Sequence, residues 1–453
     1  MPHPPVIIPE VGRGEEAKIS ATSRACQAVG GRIRDLAPKT IVLLSPHATL
    51  YADYFHISPG QCAQGSLVRF GAPGVRLSVE YDMELSETLA GLAAEKDFPA
   101  GFEGEREAEL DHGSLIPLYF INQAYRNYRL VRIGLSGLSG YSHYRLGQLI
   151  AQAVAALGRR VVILASGDLS HRLLAEGPYG FDPAGPELDR QICVALAAGD
   201  FGQLLEIPAD LAEAAGECGL GSLRIMAGAL DGLAVQPELL SYEGPLGVGY
   251  AAAAFAVTGG DQSRCFGQAY LDQERQKLSR IQAGEDPYVR LARLSLETYV
   301  GQGVRAELPA GLPPELTERR AGAFVSLKKQ GQLRGCIGTI AYTADSLAEE
   351  IMRNAVSAGT ADPRFAPVRP GELPELVYSV DVLGEPEPVD SLEQLEPKTY
   401  GVIVSQGRRR GLLLPDLEGV DTPEQQVAIA REKAGISPGE DYHLQRFQVV
   451  RHQ

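Results

Sequence analysis

Four histidines and an aspartate occupy the positions of this sequence best suited to metal or proton chemistry. They lie beside strand-like runs, in MPHPP, IVLLSPH, ELDHGSL and VVILASGDLSH, as His3, His47, His112, Asp168 and His171. A metal that activates a small molecule needs two or three neutral imidazoles and a carboxylate or thiolate, with a coordination position left open. A further imidazole can move a proton near neutral pH. The pattern therefore predicts a metal centre in the first part of the chain.

Two adjacent residues in AAGECGLGSL, Glu217 and Cys218, are candidates for the third protein ligand of such a centre. Two histidines with one carboxylate are typical of non-haem iron(II) oxygenases, whereas a thiolate favours softer metals. The sequence leaves both residues open as ligands. His3 also has an alternative interpretation as part of a free terminus, because terminal residues are usually disordered.

Alternating strand-like and helix-like segments must position these groups. Buried-strand runs occur in TIVLLSP (40–46), RLVRIGLSG and RRVVILASGD, with the amphipathic segments MELSETLAGLAAEKD and YRLGQLIAQAVAALG between them. This alternation predicts an α/β domain over residues 1–258. Functional groups in open α/β sheets gather at the carboxyl ends of the strands, where we expect the histidines to lie.

The length, net charge and composition of the chain exclude several classes of function. With 453 residues it is long enough for two domains. A net charge of -15 and a pI near 5.1 argue against nucleic acid or an anionic membrane as partner. The apolar stretch GVGYAAAAFAVTGG is too short to span a bilayer, and no export signal is visible. The six cysteines form no C-x-x-C pair, so we expect reduced thiols and a cytoplasmic location.

A second, smaller α+β unit is predicted over residues 285–453, after a polar linker with part of a connecting helix at 259–284. Its most distinctive motif is GQLRGCIGTI, which contains Arg334 and Cys336. Arg334 could bind a carboxylate or phosphate, or pair with an acidic neighbour. Cys336 could be a nucleophile or an inert packed thiol, and nucleophilic cysteines need a base or cation close by.

Five motifs of the first domain resemble those of class III extradiol ring-cleavage dioxygenases, and most closely the LigB-like branch that includes the Memo proteins. In order they are HPPVIIPEVGRGEE, SPHATLYADYF, LDHGSLIPLYF, SGDLSH and YEGPLGVGYAAAAF. The resemblance implies that His3 and His47 bind the metal and that His171 is the acid/base residue. It also implies that His112 lines the substrate pocket, with Asp168 either orienting His171 or capping a turn.

The resemblance implies iron(II) as cofactor, with other divalent metals open. Dioxygenases of the family use a glutamate as third ligand and Memo-like members a cysteine, so Glu217 and Cys218 both remain. Family members carry a few strand residues before the first histidine, where this sequence has Met1 and Pro2. The two alternatives are a weakly binding His3 and a start further upstream.

The second domain resembles the AMMECR family through LRGCIG, RNAVSAGTADPRFAPV and GRRRGLLLPDL, which implies a pocket around Arg334 and Cys336. The fusion resembles the AmmeMemoRadiSam system, whose third member is a radical SAM protein. The leading hypothesis is an iron(II)-dependent oxidoreductase acting on a small aromatic or other dioxygen-reactive substrate. The alternatives are a Memo-like metal-binding module that acts with a radical SAM partner without dioxygenase turnover, and a pair of scaffold domains.

Overall fold

The computed structural model describes residues 1–106, 109–329, 331–417 and 419–453. The chain forms two compact units, Met1–Gln273 and Glu274–Gln453. The segment predicted as linker with part of a connecting helix contains the end of a strand and a helix over Phe266–Gly284. The division between the units falls inside this helix.

The first unit combines helices with short sheets. Its helices are α1 (Pro9–Gly12), α2 (Ser20–Leu36), α3 (Met83–Glu95), α4 (His112–Ala124), α5 (Gly140–Leu157), α6 (Ala184–Ala198), α7 (Gly202–Glu206), α8 (Ala209–Ala215), α9 (Leu220–Ala229) and the first part of α10 (Phe266–Gly284). Its strands are β1 (Thr40–Ser45), β2 (Phe55–His56), β3 (Cys62–Leu67), β4 (Ala72–Glu80), β5 (Ala100–Gly101), β6 (Arg129–Gly134), β7 (Val161–Ala165), β8 (Leu233–Glu243) and β9 (Tyr250–Gly260).

A parallel sheet in the order β6-β1-β7 forms the centre of the first unit. All six residues of β1 are buried, as expected for a parallel strand covered on both faces. Because side chains alternate along a strand, Val42 and Leu44 enter one apolar cluster while Ile41 and Leu43 enter another. The sheet thus separates two cores, and its carboxyl edge lies where β1 and β7 lead into the predicted site motifs.

Most predicted elements of this unit are confirmed, including β1, β6, β7, α3 and α5. Sequence patterns did not identify helix α2, the antiparallel hairpin β3–β4 or strand β8, the partner of β9. Strand β3 lacks the pattern because its burial does not alternate strictly, whereas β4 does alternate from Gly74 to Glu80 and carried a usable strand signal. The α/β class predicted for this domain is confirmed.

The second unit contains antiparallel sheets and helices. Its helices are α11 (Pro287–Gln302), α12 (Pro314–Thr317), α13 (Leu347–Thr360) and α14 (Pro423–Lys433). Its strands are β10 (Ala323–Lys329), β11 (Gln332–Gly338), β12 (Leu376–Leu383), β13 (Glu387–Val389), β14 (Gly401–Gln406), β15 (Arg409–Leu413), β16 (His443–Phe447) and β17 (Val449–His452).

Two four-stranded sheets organise the described part of the second unit, in the orders β11-β10-β12-β17 and β13-β16-β14-β15. Ala323, Val325 and Leu327 alternate along β10 and are fully buried in one cluster with residues of α11 and α13. Strands β14 and β15 form a hairpin that turns at Gly407, whose φ is +58°. Strands β16 and β17 follow each other closely in the sequence but belong to different sheets. The predicted α+β class is confirmed.

Helices long and apolar enough to cross a membrane do not occur among the described residues.

Candidate metal centre

His3 is fixed within the first unit rather than free at a disordered terminus. The residue is 1% exposed, and its backbone N–H donates to Oδ1 of Asp168 over 2.8 Å. The prolines that follow it continue into a short 3₁₀ turn over Pro5–Ile7. The imidazole is therefore held in one place at the carboxyl edge of the sheet.

Hydrogen bonding selects the tautomer of His3. Its Nδ1 lies 2.9 Å from Oγ of Ser166, and that hydroxyl donates its single proton to the carbonyl oxygen of Gly113 over 2.6 Å. Oγ of Ser166 must therefore accept a hydrogen bond from the Nδ1–H group of His3. This leaves Nε2 of His3 with a free lone pair, which is the form that binds a metal.

Nε2 of His3 faces two further donor atoms. Nε2 of His47 lies 3.0 Å away and Sγ of Cys218 lies 3.6 Å away. The three ligand atoms all lie within 4.8 Å of one another. His47 follows β1 and Cys218 precedes α9, so the fold brings together residues that are far apart in sequence.

Two glycines allow the loops that carry these ligands to meet. A Cβ atom on Gly167 would lie 2.2 Å from Cα of Gly219, so the loop after β7 contacts the loop before α9 without side chains between them. The contact brings the backbone N–H of Asp168 to 3.3 Å from Sγ of Cys218, where it donates to the sulfur. The sulfur is therefore oriented by the backbone as well as by its own loop.

Glu217, the other candidate for third ligand, is used differently. Its carboxylate accepts the backbone N–H of Leu220 over 2.6 Å at the start of α9. Burial raises the pKa of Glu217, and its negative charge interacts with Arg224. The structure thus brings Cys218 to the two imidazoles and leaves Glu217 at the helix start.

His112 and His171 stand beside the three donor atoms. The ring of His112 lies 4.1 Å from that of His47 and 5.4 Å from that of His3. Burial lowers the pKa of His112 to about 4. Burial and the nearby His47 lower the pKa of His171 as well. Both imidazoles are therefore neutral near pH 7 and can accept a proton.

Asp168 contacts two of the proposed ligands, His3 and Cys218. Its carboxylate accepts the backbone N–H of His3, and its backbone carbonyl oxygen lies 3.6 Å from Sγ of Cys218. The described backbone bond of His171 goes from its N–H to the carbonyl oxygen of Ala215. Burial raises the pKa of Asp168 to about 7. Its position between His3 and Cys218 makes it a positioning group for the cluster.

Sequence reasoning missed a buried network that holds His47 and His112 in place. The Ser45 hydroxyl donates to the Asp111 carboxylate over 2.6 Å, and Ser45 Oγ accepts the backbone N–H of His47. Asp111 also accepts the backbone N–H of Ser114 and so begins helix α4 at His112. The signal was present in the motif LDHGS, where an aspartate directly precedes the helix.

Arg132 completes this network from the neighbouring strand β6. It is 1% exposed, its Nε donates to Oγ of Ser58, and its guanidinium lies 3.6 Å from the Asp111 carboxylate. A buried charge in a parallel strand is stable because it is paired and hydrogen-bonded. Nothing in the apolar pattern RLVRIG marked this arginine as part of the site.

Two exposed aromatic rings flank the histidines that stand beside the cluster. The Phe70 ring lies 5.4 Å from that of His112, and the Tyr179 ring stacks on that of His171 at 5.2 Å. Phe70 is 37% exposed and Tyr179 is 61% exposed. Both come from loop segments without a recognisable motif, so the sequence offered no signal for them.

The chemistry of the three donors fits a transition metal. Burial lowers the pKa values of His3 and His47, which keeps both rings neutral and able to donate a lone pair. Burial raises the pKa of the Cys218 thiol well above its ordinary value, so a cation must displace its proton. Two nitrogens and one sulfur provide three protein ligands, which is the number that catalytic metal sites use while keeping one position open.

In the second unit, Arg334 pairs with an acidic neighbour, one of the two alternatives left open by the sequence. Its Nε and Nη2 each lie 3.0 Å from the Glu372 carboxylate, and Nη1 donates to the carbonyl oxygen of Ala366. Sγ of Cys336 accepts the Ser326 hydroxyl over 3.1 Å. A cavity of about 470 Å³ close by is lined by Tyr299, Val300, Thr360 and residues 366–370, and its lining includes neither Arg334 nor Cys336.

The parallel sheet with imidazoles and a thiol at its carboxyl edge defines an α/β domain with a candidate metal centre. Comparison with protein families assigns it more closely. The family described as the catalytic LigB subunit of aromatic ring-opening dioxygenase matches residues 1–253, and the AMMECR1 family matches residues 289–452. The chain belongs to the LigB family and carries an AMMECR1 domain after it, which confirms the predicted fusion.

One relative matches the chain over its whole length, and others match about a third of it. Protein CA_C1420 of Clostridium acetobutylicum is 42% identical over 460 residues, which cover 100% of this chain and 98% of the relative. A protein of Thermotoga maritima is 54% identical over 171 residues, covering 37% of this chain and 98% of the relative. The crystal structure of uncharacterized protein PH0010 from Pyrococcus horikoshii has 34% identity and a TM-score of 0.34, covering 36% of this chain and 88% of that chain.

Proposed function

We propose that the first unit is a metal-dependent oxidoreductase that binds iron(II) through Nε2 of His3, Nε2 of His47 and Sγ of Cys218. The convergence of these three atoms within 4.8 Å carries the proposal. Family membership supports it, because LigB domains are generally metal-dependent. Other divalent metals remain compatible with a donor set of two nitrogens and one sulfur.

Three protein ligands leave coordination positions for a small aromatic or other dioxygen-reactive substrate. When bound, iron(II) supplies a Lewis acid for the oxygen atoms of such a substrate and an electron source for dioxygen. His171, neutral near pH 7, accepts the proton that a substrate hydroxyl loses on binding. His112, neutral as well, lies beside His47 and forms a hydrogen bond with the bound substrate.

Metal content and oxygen uptake test this function. We expect the anaerobically purified chain to retain about one iron per chain, and His47→Ala to lose it. His143→Gln is the matched control, since His143 is a buried histidine whose Nδ1 contacts the carbonyl oxygen of Ser139 outside the cluster. With iron bound, the chain should consume oxygen when catechols are added. The product should be a coloured ring-opened compound that contains both oxygen atoms of the dioxygen consumed. A chain that holds no iron, and is unaffected by His47→Ala, would exclude the proposal.

A second candidate is a Memo-like metal-binding module that acts with a radical SAM protein and has no dioxygenase turnover. The proximity of the Cys218 thiol, in place of the Glu217 carboxylate, favours it because thiolates select softer metals. The two functions differ in one measurement. The module binds metal through the same three residues, yet oxygen uptake with catechols stays at the level of the metal-free chain.

A further inference from the structure

A large groove lies at the opposite end of the central sheet from the metal-binding cluster. Its volume is about 1190 Å³, and its walls include residues 37–39, 74–80 and 125–129. Lys39 directly precedes β1 and Arg129 begins β6, whereas His47 follows the other end of β1. A strand of this length spans roughly 20 Å, so the groove is a separate place on the first unit.

The charge of the groove is opposite to that of the chain. The whole chain has a net charge of -15, yet basic residues outnumber acidic ones in the groove lining. The basic residues are Lys39, Arg76, Arg126, Arg129 and Arg159, and the acidic ones are Glu10, Glu80 and Asp82. A local excess of positive charge on an acidic protein attracts anions to that position.

Three of the basic side chains are available to a ligand. Within the described part of the chain, Lys39 and Arg126 have no carboxylate oxygen within 4.0 Å, although Nε of Arg126 donates to the carbonyl oxygen of Asn122. Arg129 approaches Glu80 at 3.8 Å, with both side chains more than 60% exposed. Such a loose, exposed pair is weak and is easily replaced by a ligand anion.

Two tyrosines give the groove a fixed wall beside these cations. The Tyr125 hydroxyl contacts the carbonyl oxygen of Pro38 at 2.9 Å, and the Tyr128 hydroxyl donates to Asn122 over 2.8 Å. Their rings are stacked, with centroids 6.2 Å apart. Side chains already held in place lose little conformational entropy when a ligand binds.

We propose that this basic groove binds a small-molecule oligoanion with two or more phosphate or carboxylate groups. One anionic group contacts Lys39 and a second contacts Arg126 and Arg129, while the tyrosine wall covers the rest of the ligand. The volume is somewhat above the usual range for small-molecule sites, so a ligand of nucleotide size can be accommodated. This inference does not depend on the proposed function of the metal-binding cluster.

Calorimetric titration of the full chain at about 50 mM salt tests the proposal, because low salt limits the screening of exposed charges. The probes are tripolyphosphate and citrate, which distinguish phosphate from carboxylate as the source of the charge. We expect saturable binding of one probe molecule per chain. Lys39→Gln and Arg126→Gln should each weaken it by about threefold, and together by about tenfold.

Matched variants separate this site from general charge effects. Arg24→Gln removes one exposed positive charge from the beginning of α2 and should leave the affinity unchanged, as should His47→Ala. The proposal is overturned if neither probe binds saturably, or if Arg24→Gln weakens binding as much as Lys39→Gln. Loss of binding in His47→Ala would place the anion at the metal instead. Tighter binding of a hexaglutamate peptide than of either probe would replace the small molecule by an acidic protein segment.

Discussion

Sγ of Cys218 lies 3.6 Å from Nε2 of His3, although the two residues are 215 positions apart in the sequence. The Gly167–Gly219 contact makes this approach possible, because any larger residue would separate the two loops. The sulfur is therefore placed by packing between backbones, and the adjacent Glu217 carboxylate is directed to the start of α9. This relationship leads to the first prediction.

Cys218→Ala should lower the affinity for metal by more than about 100-fold, since it removes a direct ligand. Glu217→Gln is the matched control and should keep the metal, while losing about 1 kcal/mol of stability from the start of α9. Metal per chain after dialysis against a chelator, together with urea unfolding, measures both effects. Loss of metal in Glu217→Gln but not in Cys218→Ala would reverse the assignment of the ligand.

Ser166→Ala should weaken metal binding by about 10- to 100-fold without removing a ligand, because the hydroxyl fixes the proton on Nδ1 of His3. Ser170→Ala provides the comparison, since Ser170 is equally buried and its hydroxyl donates to the carbonyl oxygen of Ala215. Competition titration with a chelating dye reports the affinity. Equal losses in the two variants would mean that the Ser166 effect is one of packing alone.

Metal affinity should rise with pH by about tenfold per pH unit between about pH 6.5 and about 8.5. The sign follows from the proton balance: burial raises the pKa of Cys218, so metal binding must release its proton, while His3 and His47 are already neutral. Higher pH therefore favours the bound state. Chelator competition at several pH values measures the slope, and Cys218→Ala should show none over the same range.

In the second unit, Arg334→Met should lower the free energy of unfolding by about 1–2 kcal/mol, because it removes both hydrogen bonds that Arg334 donates to the mostly buried Glu372 carboxylate. That carboxylate keeps the looser contact with Lys329 and the backbone N–H of Arg369. Replacing both residues, as Arg334→Met with Glu372→Leu, should restore part of the loss. Urea unfolding of the four chains of this cycle measures the coupling. If Arg334→Met and Glu372→Leu instead add independently, the pair does not stabilise the domain.

The sequence by itself determined the classes of the two domains and the place of the histidine motifs that follow strands, with His47 after β1 and His171 after β7. Both depend on local patterns: apolar runs such as IVLLS form buried strands, and polar residues directly after such a run must emerge at the end of the strand. The histidine motifs could therefore be assigned to one edge of a sheet, and the family motifs supported the assignment. Helix α2 and the strands β3 and β8 lacked such a clear pattern.

The tertiary structure decided which side chains meet. Adjacent residues in a loop, such as Glu217 and Cys218, point in different directions, and the loop approach across Gly167 determines which one reaches His3. The contact of Asp168 with His3 depends on the same packing. The basic groove arises in the same way, because Lys39 precedes β1 whereas Arg126 and Arg129 lie far along the chain, just before and at the start of β6. Contacts between distant segments depend on the packing of the whole domain, which a local pattern does not encode.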